Sequence, residues 1–88
     1  MDSTYVPTGG ASTPRELTFG EKAVGLTFNP SGDENVNAIK SLYGQVIDHL
    51  NNMRAAETNH EKNRMLSIAI TETQTAQMWA VKAITWKD

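Results

Sequence analysis

The sequence predicts an all-α protein, an antiparallel two-helix hairpin with an N-terminal arm that assembles into a homo-oligomer. Three observations carry this prediction. Capping-box patterns, Ser31-Gly32-Asp33-Glu34 and Thr58-Asn59-His60-Glu61, each precede a run whose apolar residues recur at helical spacing. The stretch joining the two runs spans a few residues, which makes the helices antiparallel neighbours. The second run is apolar on more than one side, more than a single partner helix can cover.

The chain has 88 residues, no cysteine and a formal net charge of −2, with 20% charged and 39% hydrophobic residues. This length allows one small domain. Lack of cysteine excludes a disulfide framework and a thiolate metal site, two usual supports for so short a chain. Self-association is the support that remains. No apolar run approaches the roughly 20 residues needed to span a bilayer. Met1-Asp2-Ser3-Thr4 lacks the basic and apolar regions of a secretory signal, so a cytoplasmic protein is expected. A slightly acidic chain is also a poor ligand for duplex nucleic acid, which demands a broad basic surface.

Residues 1–19 read as an N-terminal arm, flexible or packed on a neighbour, and residues 20–88 as the hairpin domain. Nine of the first fourteen residues are Ser, Thr, Gly or Pro, a composition that buries little and turns often. Gly20 and Gly25 bracket Glu21-Lys22-Ala23-Val24, too short for a stable isolated helix, so an ordered arm lying on another surface is expected.

The first long helix should start at the Ser31 cap. Val36, Ile39, Tyr43, Val46, Ile47, Leu50 and Met53 mark its apolar face, with Asn37, Lys40, Ser41 and Asp48 opposite. Gly44 weakens this helix locally and suggests a close backbone approach. The second helix should run from about Asn59 to about Trp86, on the order of 40 Å. It shows a small stripe (Ala69, Thr73, Ala76, Ala80, Ala83) and a larger one (Met65, Ile68, Met78, Trp79, Trp86) widened by Ile70, Val81 and Ile84. The small stripe is expected to pack against the first helix and the larger one against another chain.

Catalytic patterns are absent from the sequence. His-Glu-Lys-Asn-Arg from His60 is not a zinc-binding His-Glu-x-x-His, and His49 stands eleven residues away, so both read as solvated surface. No Ser sits in Gly-x-Ser-x-Gly, and Gly20-Glu21-Lys22-Ala23-Val24-Gly25 is no P-loop. An enzyme is not expected, nor a cofactor or metal. Phe28-Asn29-Pro30-Ser31-Gly32 sets an aromatic ring, an amide and a hydroxyl before a helix N-terminus. An aromatic face can stack on a nucleobase and N–H groups there attract anions. Taken alone, the pattern reads more simply as a hydrophobic staple, a turn former and a cap. Lys40 falls on the polar side of the first helix, within reach of a phosphate from its own or a neighbouring chain; such a lysine is ordinarily solvated. Lys22, Lys62 and Arg64 complete the basic set outside the C-terminus and carry the same reading. Trp79 and Trp86 fit core or interface positions better than stacking platforms.

Four blocks, in order from Gly20 to Lys87, resemble the phage anti-CBASS cyclic-oligonucleotide sponges. They are Gly20-x-Lys22-Ala23-Val24-Gly25-Leu26-x-Phe28-Asn29-Pro30-Ser31, Val36-x-x-Ile39-Lys40, Val46-Ile47-Asp48, and Ala76-Gln77-Met78-Trp79-Ala80-Val81-Lys82-Ala83-Ile84-Thr85. The hairpin is shared with anti-Thoeris sponges for cyclic ADP-ribose signals. The resemblance implies a non-enzymatic hexamer in the infected host's cytoplasm. Such a protein binds cyclic dinucleotides such as 3′,3′-cyclic GMP-AMP between protomers, and in some relatives cyclic trinucleotides at a separate site. Matching positions imply Phe28 as the stacking aromatic, Asn29 and Pro30 beside it, and Lys40 as a phosphate or base contact. Arg64 is implied for the second site, and Lys22 lies within the first block. Some relatives carry Tyr where this chain has Phe28. A protein-interaction adaptor is the rival reading, with a cyclic ADP-ribose sponge as a third.

Overall fold

The computed structural model describes residues 15–88, in which three helices follow one another: α1 (Phe19–Val24), α2 (Glu34–Ala56) and α3 (His60–Ile84). The described residues contain no strand. Of the arm expected over residues 1–19, residues 1–14 lie outside the described residues. Helix α2 packs against both α1 and α3, and α1 touches α3 only lightly. Val36 at the start of α2 and Val81 near the end of α3 line the same cavity, so the two long helices run antiparallel.

The segment expected as an ordered arm lying on another surface is the six-residue helix α1, lying on α2. So short a helix is marginal alone and survives through its ends and its packing. Thr18 Oγ1 accepts from Glu21 N–H at 3.1 Å and the Glu21 carboxylate accepts from Thr18 N–H at 2.9 Å, a capping box absent from the sequence reading. Arg15 braces that carboxylate with two bonds of 2.7 Å. Asp48 of α2 accepts the Gly20 N–H at 2.7 Å. Gly25 ends the helix with φ +64°, a left-handed turn that glycine adopts without a Cβ penalty.

Both long helices begin one or two residues away from the expected cap. Asp33, not Ser31, caps α2, its side chain accepting from Asn35 N–H at 2.7 Å. The reason is Gly32, whose φ of +70° turns the chain between Ser31 and the helix. The Ser31 hydroxyl then accepts from Asp33 N–H and donates to Asn29 Oδ1. Asn59, not Thr58, caps α3 by accepting from Lys62 N–H at 2.9 Å, and Glu61 turns to Arg64 instead of reaching back. Glu57 folds over the intervening turn and accepts from the N–H groups of Thr58 and Asn59.

The core centres on Val24, Ile47 and Ile70, with Ala23, Leu26, Tyr43 and Leu50 packed around it. On α2 the buried line is Val36, Lys40, Gly44 and Ile47, at spacings of four, four and three. Thus Lys40, assigned to the solvated face, is buried, while Val46 and Met53 of the expected apolar face are exposed. Asp48 is likewise half-buried rather than solvated. The cause is α1: it occupies the side of α2 that bears Lys40, Gly44 and Asp48, a side that a bare two-helix hairpin leaves to water. Gly44 does meet a close backbone approach, from Gly20. On α3 the buried positions are Ile70 and Gln77. Of the small stripe, Ala69, Thr73 and Ala80 are half-buried while Ala76 and Ala83 are exposed. Met65, Ile68, Met78 and Trp79 lie exposed along α3, and Trp86 lies exposed just beyond its end.

Candidate functional site

The loop from Gly25 to Asp33 connects α1 to α2 and forms one wall of a cavity of about 240 Å³. Phe28, Asn29, Pro30 and Ser31 contribute from the loop. Val36 and Lys40 of α2 form the floor with Val81 and Thr85 from the end of α3. Four of the six residues that the sequence singled out (Phe28, Asn29, Pro30 and Lys40) therefore meet around one space.

Local bonding fixes this loop closely. Phe28 N–H donates to Gly25 O at 2.9 Å, and Gly32 N–H donates to Asn29 O at 3.2 Å. Asn29 spends both of its amide protons internally, on Asp33 O and on Asn37 Oδ1, each at 3.0 Å. It is therefore a structural clasp between loop and helix, with no free N–H left to read a base edge. Pro30 follows as an exposed apolar face of the loop.

Phe28 is 69% exposed although it lies beside an apolar cavity. Below it, the Lys40 ammonium stands 5.6 Å from the ring centroid, within the range of a cation–π contact. Lys40 Nζ donates to Gly25 O at 3.0 Å and also to Phe28 O. The site thus joins an exposed aromatic face, a buried cation and an apolar floor. That combination suits a flat heteroaromatic group carrying negative charge.

Lys22 and Arg64 are not at this cavity. Lys22 is exposed on α1, its Nζ 3.9 Å from Glu16. Arg64 stands in the second turn of α3, whereas the cavity lies at the far end of that helix. It pairs with Glu61 through bonds of 3.0 and 2.6 Å, which hold the Glu61 carboxyl below its usual range and raise the guanidinium. Ser31, part of the same singled-out loop motif, also lines the cavity, whereas sequence reading missed Val36, Val81 and Thr85 as lining residues. The last two were accessible in principle, since an antiparallel register sets the end of α3 against the start of α2. Among the described residues, no three His, Asp or Glu side chains converge to hold a metal ion. No helix among them is long and apolar enough to cross a membrane.

The family model described as Acb2/Tad1, hairpin domain, matches residues 21–85, from the first turn of α1 to the cap of α3. The chain belongs to the Acb2/Tad1 hairpin family. These are the anti-CBASS and anti-Thoeris sponges, proteins that take up cyclic nucleotide signals. Neither the curated proteins nor the solved structures compared with the chain gave a match. The Acb2/Tad1 match spans every residue that lines the cavity, while Arg15 and Thr18, which brace α1, stand before it.

Proposed function

We propose that this protein sequesters cyclic dinucleotides, with 3′,3′-cyclic GMP-AMP as the first ligand to try, and releases them unchanged. The carrying observation is the exposed Phe28 ring over the cavity that Lys40 underlies. Membership of the Acb2/Tad1 family supports a cyclic nucleotide as the occupant. Phe28 stacks on one base, Pro30 and Val81 flank it, and Lys40 supplies positive charge beneath.

Size argues that one chain holds only part of the ligand. Pockets that enclose small molecules run from about 300 to 1,000 Å³, and this one is about 240 Å³. A two-fold pair of chains presents the same patch twice, matching a ring with two bases and two phosphates. The exposed Met78, Trp79 and Trp86 offer apolar surface for such assembly into the hexamer we propose. Trapping in the infected cell then requires affinity and slow release, with no acid, base or metal. Arg64 is left for a separate site that assembly would build, and Lys22 for none.

Calorimetry with 3′,3′-cyclic GMP-AMP, followed by recovery of the ligand after digestion of the complex, tests this reading. Heat of binding with intact ligand recovered is expected. Absence of heat rejects uptake, and a linearised product means an enzyme. A panel including a cyclic trinucleotide and cyclic ADP-ribose isomers ranks the ligands. The exposed apolar band also fits capture of another protein, and a nucleotide-indifferent monomer would favour that adaptor.

A further inference from the structure

Where α2 turns into α3, the hairpin carries a set of donor atoms that the cavity at Phe28 does not use. Met53 near the end of α2 and Met65 near the start of α3 line one cavity of about 240 Å³. The short turn makes them neighbours, and beside them Arg54 Nη1 donates across the seam to Ser67 Oγ at 3.0 Å. The two methionines are 48% and 50% exposed, so neither thioether is spent on filling the core. His49 stands one turn before Met53 and is exposed on the same side of α2.

Residues four apart on a helix hold their Cβ atoms about 5–6 Å from one another. Two ligands at that spacing on one helix can grip a single metal ion, as the paired histidines of zinc-binding helices do. His49 and Met53 have this spacing, and Met65 adds a donor from the other helix. Methionine is unbranched, with three rotatable bonds, so its sulfur adapts its reach.

The donors select the ion. Two thioethers and a neutral imidazole carry no charge, and thioether sulfur favours soft Cu(I) over hard divalent ions, which take oxygen ligands. Glu57 lines the same cavity, but its carboxylate is committed elsewhere. It accepts from the N–H groups of Thr58 and Asn59 and faces Lys62 Nζ at 3.4 Å. The Lys62 ammonium, also at the cavity, repels a divalent ion twice as strongly as a monovalent one.

We propose that His49, Met53 and Met65 form a site for a soft monovalent metal ion of the Cu(I) class, which ties α2 to α3 beside the turn. The site lies at the opposite end of the hairpin from the Phe28 cavity and does not depend on nucleotide uptake there.

Silver(I), a soft monovalent ion, is the first probe. Titrated into the intact protein and followed through methionine methyl groups by NMR, it should saturate at one ion per chain. The Met53 and Met65 methyls should shift while Met78 stays in place. A Met78 shift as large as theirs means indiscriminate thioether binding and overturns the site. Cu(I) supplied from a competing chelator without oxygen should then bind the native protein. Met53→Leu, Met65→Leu and His49→Gln should each weaken that binding at least about tenfold, since removing even a supporting outer partner of a metal ligand costs about 10- to 100-fold. Undiminished binding in any one variant overturns the three-donor site. All three positions are exposed and Leu conserves the volume of Met, so the variants keep the fold. Zn(II) at equal concentration should not displace Cu(I); displacement overturns the choice of a soft ion.

Discussion

Gly20 of α1 and Gly44 of α2 pack backbone to backbone, so close that a Cβ on Gly20 would overlap the Gly44 carbonyl oxygen. That Cβ would also come within 2.9 Å of Asp48 Oδ1, the acceptor of the Gly20 N–H. The reverse is gentler: a Cβ on Gly44 meets Gly20 O at 3.4 Å, near ordinary contact. The pair thus sets the distance between α1 and α2, and with it the seat of the loop that α1 delivers.

Gly20→Ala should therefore destabilise the fold by about 1–3 kcal/mol, the usual cost of overpacking a closed contact. Gly44→Ala should be close to neutral, since the tight fit offsets a helix-propensity gain of up to about 1 kcal/mol. Urea unfolding of both variants checks this. Equal losses at the two positions would contradict the asymmetric fit.

The Arg15–Glu21 pair predicts an acid-sensitive α1. Bonds from the Arg15 guanidinium and the Thr18 N–H pull the Glu21 carboxyl down to about 2. Unfolded, a glutamate titrates near about 4.3. A depressed folded value means that the stability contributed by Glu21 is whole above about 4.3 and drains as pH falls toward 2. Glu57 and Glu61 are lowered as well and act in the same direction. Thermal melts followed by circular dichroism should show Tm falling below pH 5, and Glu21→Gln should flatten part of that fall. A Tm slope unaltered in Glu21→Gln would remove this pair from the account.

Phe28→Ala should leave the fold intact, because the ring is 69% exposed. Aromatic stacking on a base is worth about 1–3 kcal/mol, so cyclic dinucleotide affinity should drop by about 5- to 150-fold. Lys22→Ala and Arg64→Ala, placed away from the cavity, should leave that affinity unchanged. Calorimetry on the three variants separates them, and a large loss for Arg64→Ala would mean that assembly brings it to the same site.

Trp79 is 66% exposed and neighbours Met78 on a face that no described element covers. If that face joins copies of the chain, Trp79→Glu should lower the assembled mass measured by light scattering while circular dichroism remains helical. An unchanged mass would place the contact elsewhere.

The two long helices were readable because three- and four-residue spacing of apolar side chains reports one chain segment's own geometry. Cap identity was less readable. Ser31 and Thr58 fit the motif, yet Gly32 and the Glu57 turn handed the caps to Asp33 and Asn59. Phe28, Asn29 and Pro30 were found because they adjoin one another, and their place before a helix is a local fact. Val81 and Thr85 were missed because they reach the cavity from the opposite end of α3.

Helix positions, the short link between α2 and α3 and the family blocks were thus settled along the chain, where neighbours in sequence set the pattern. The burial of Lys40, the seam through Ile70 and Gln77, and the loss of Asn29's free N–H groups came from packing. The physical reason is α1. Six residues too few to hold a helix alone become one on α2, and their arrival takes from water a face that its own periodicity marks as polar.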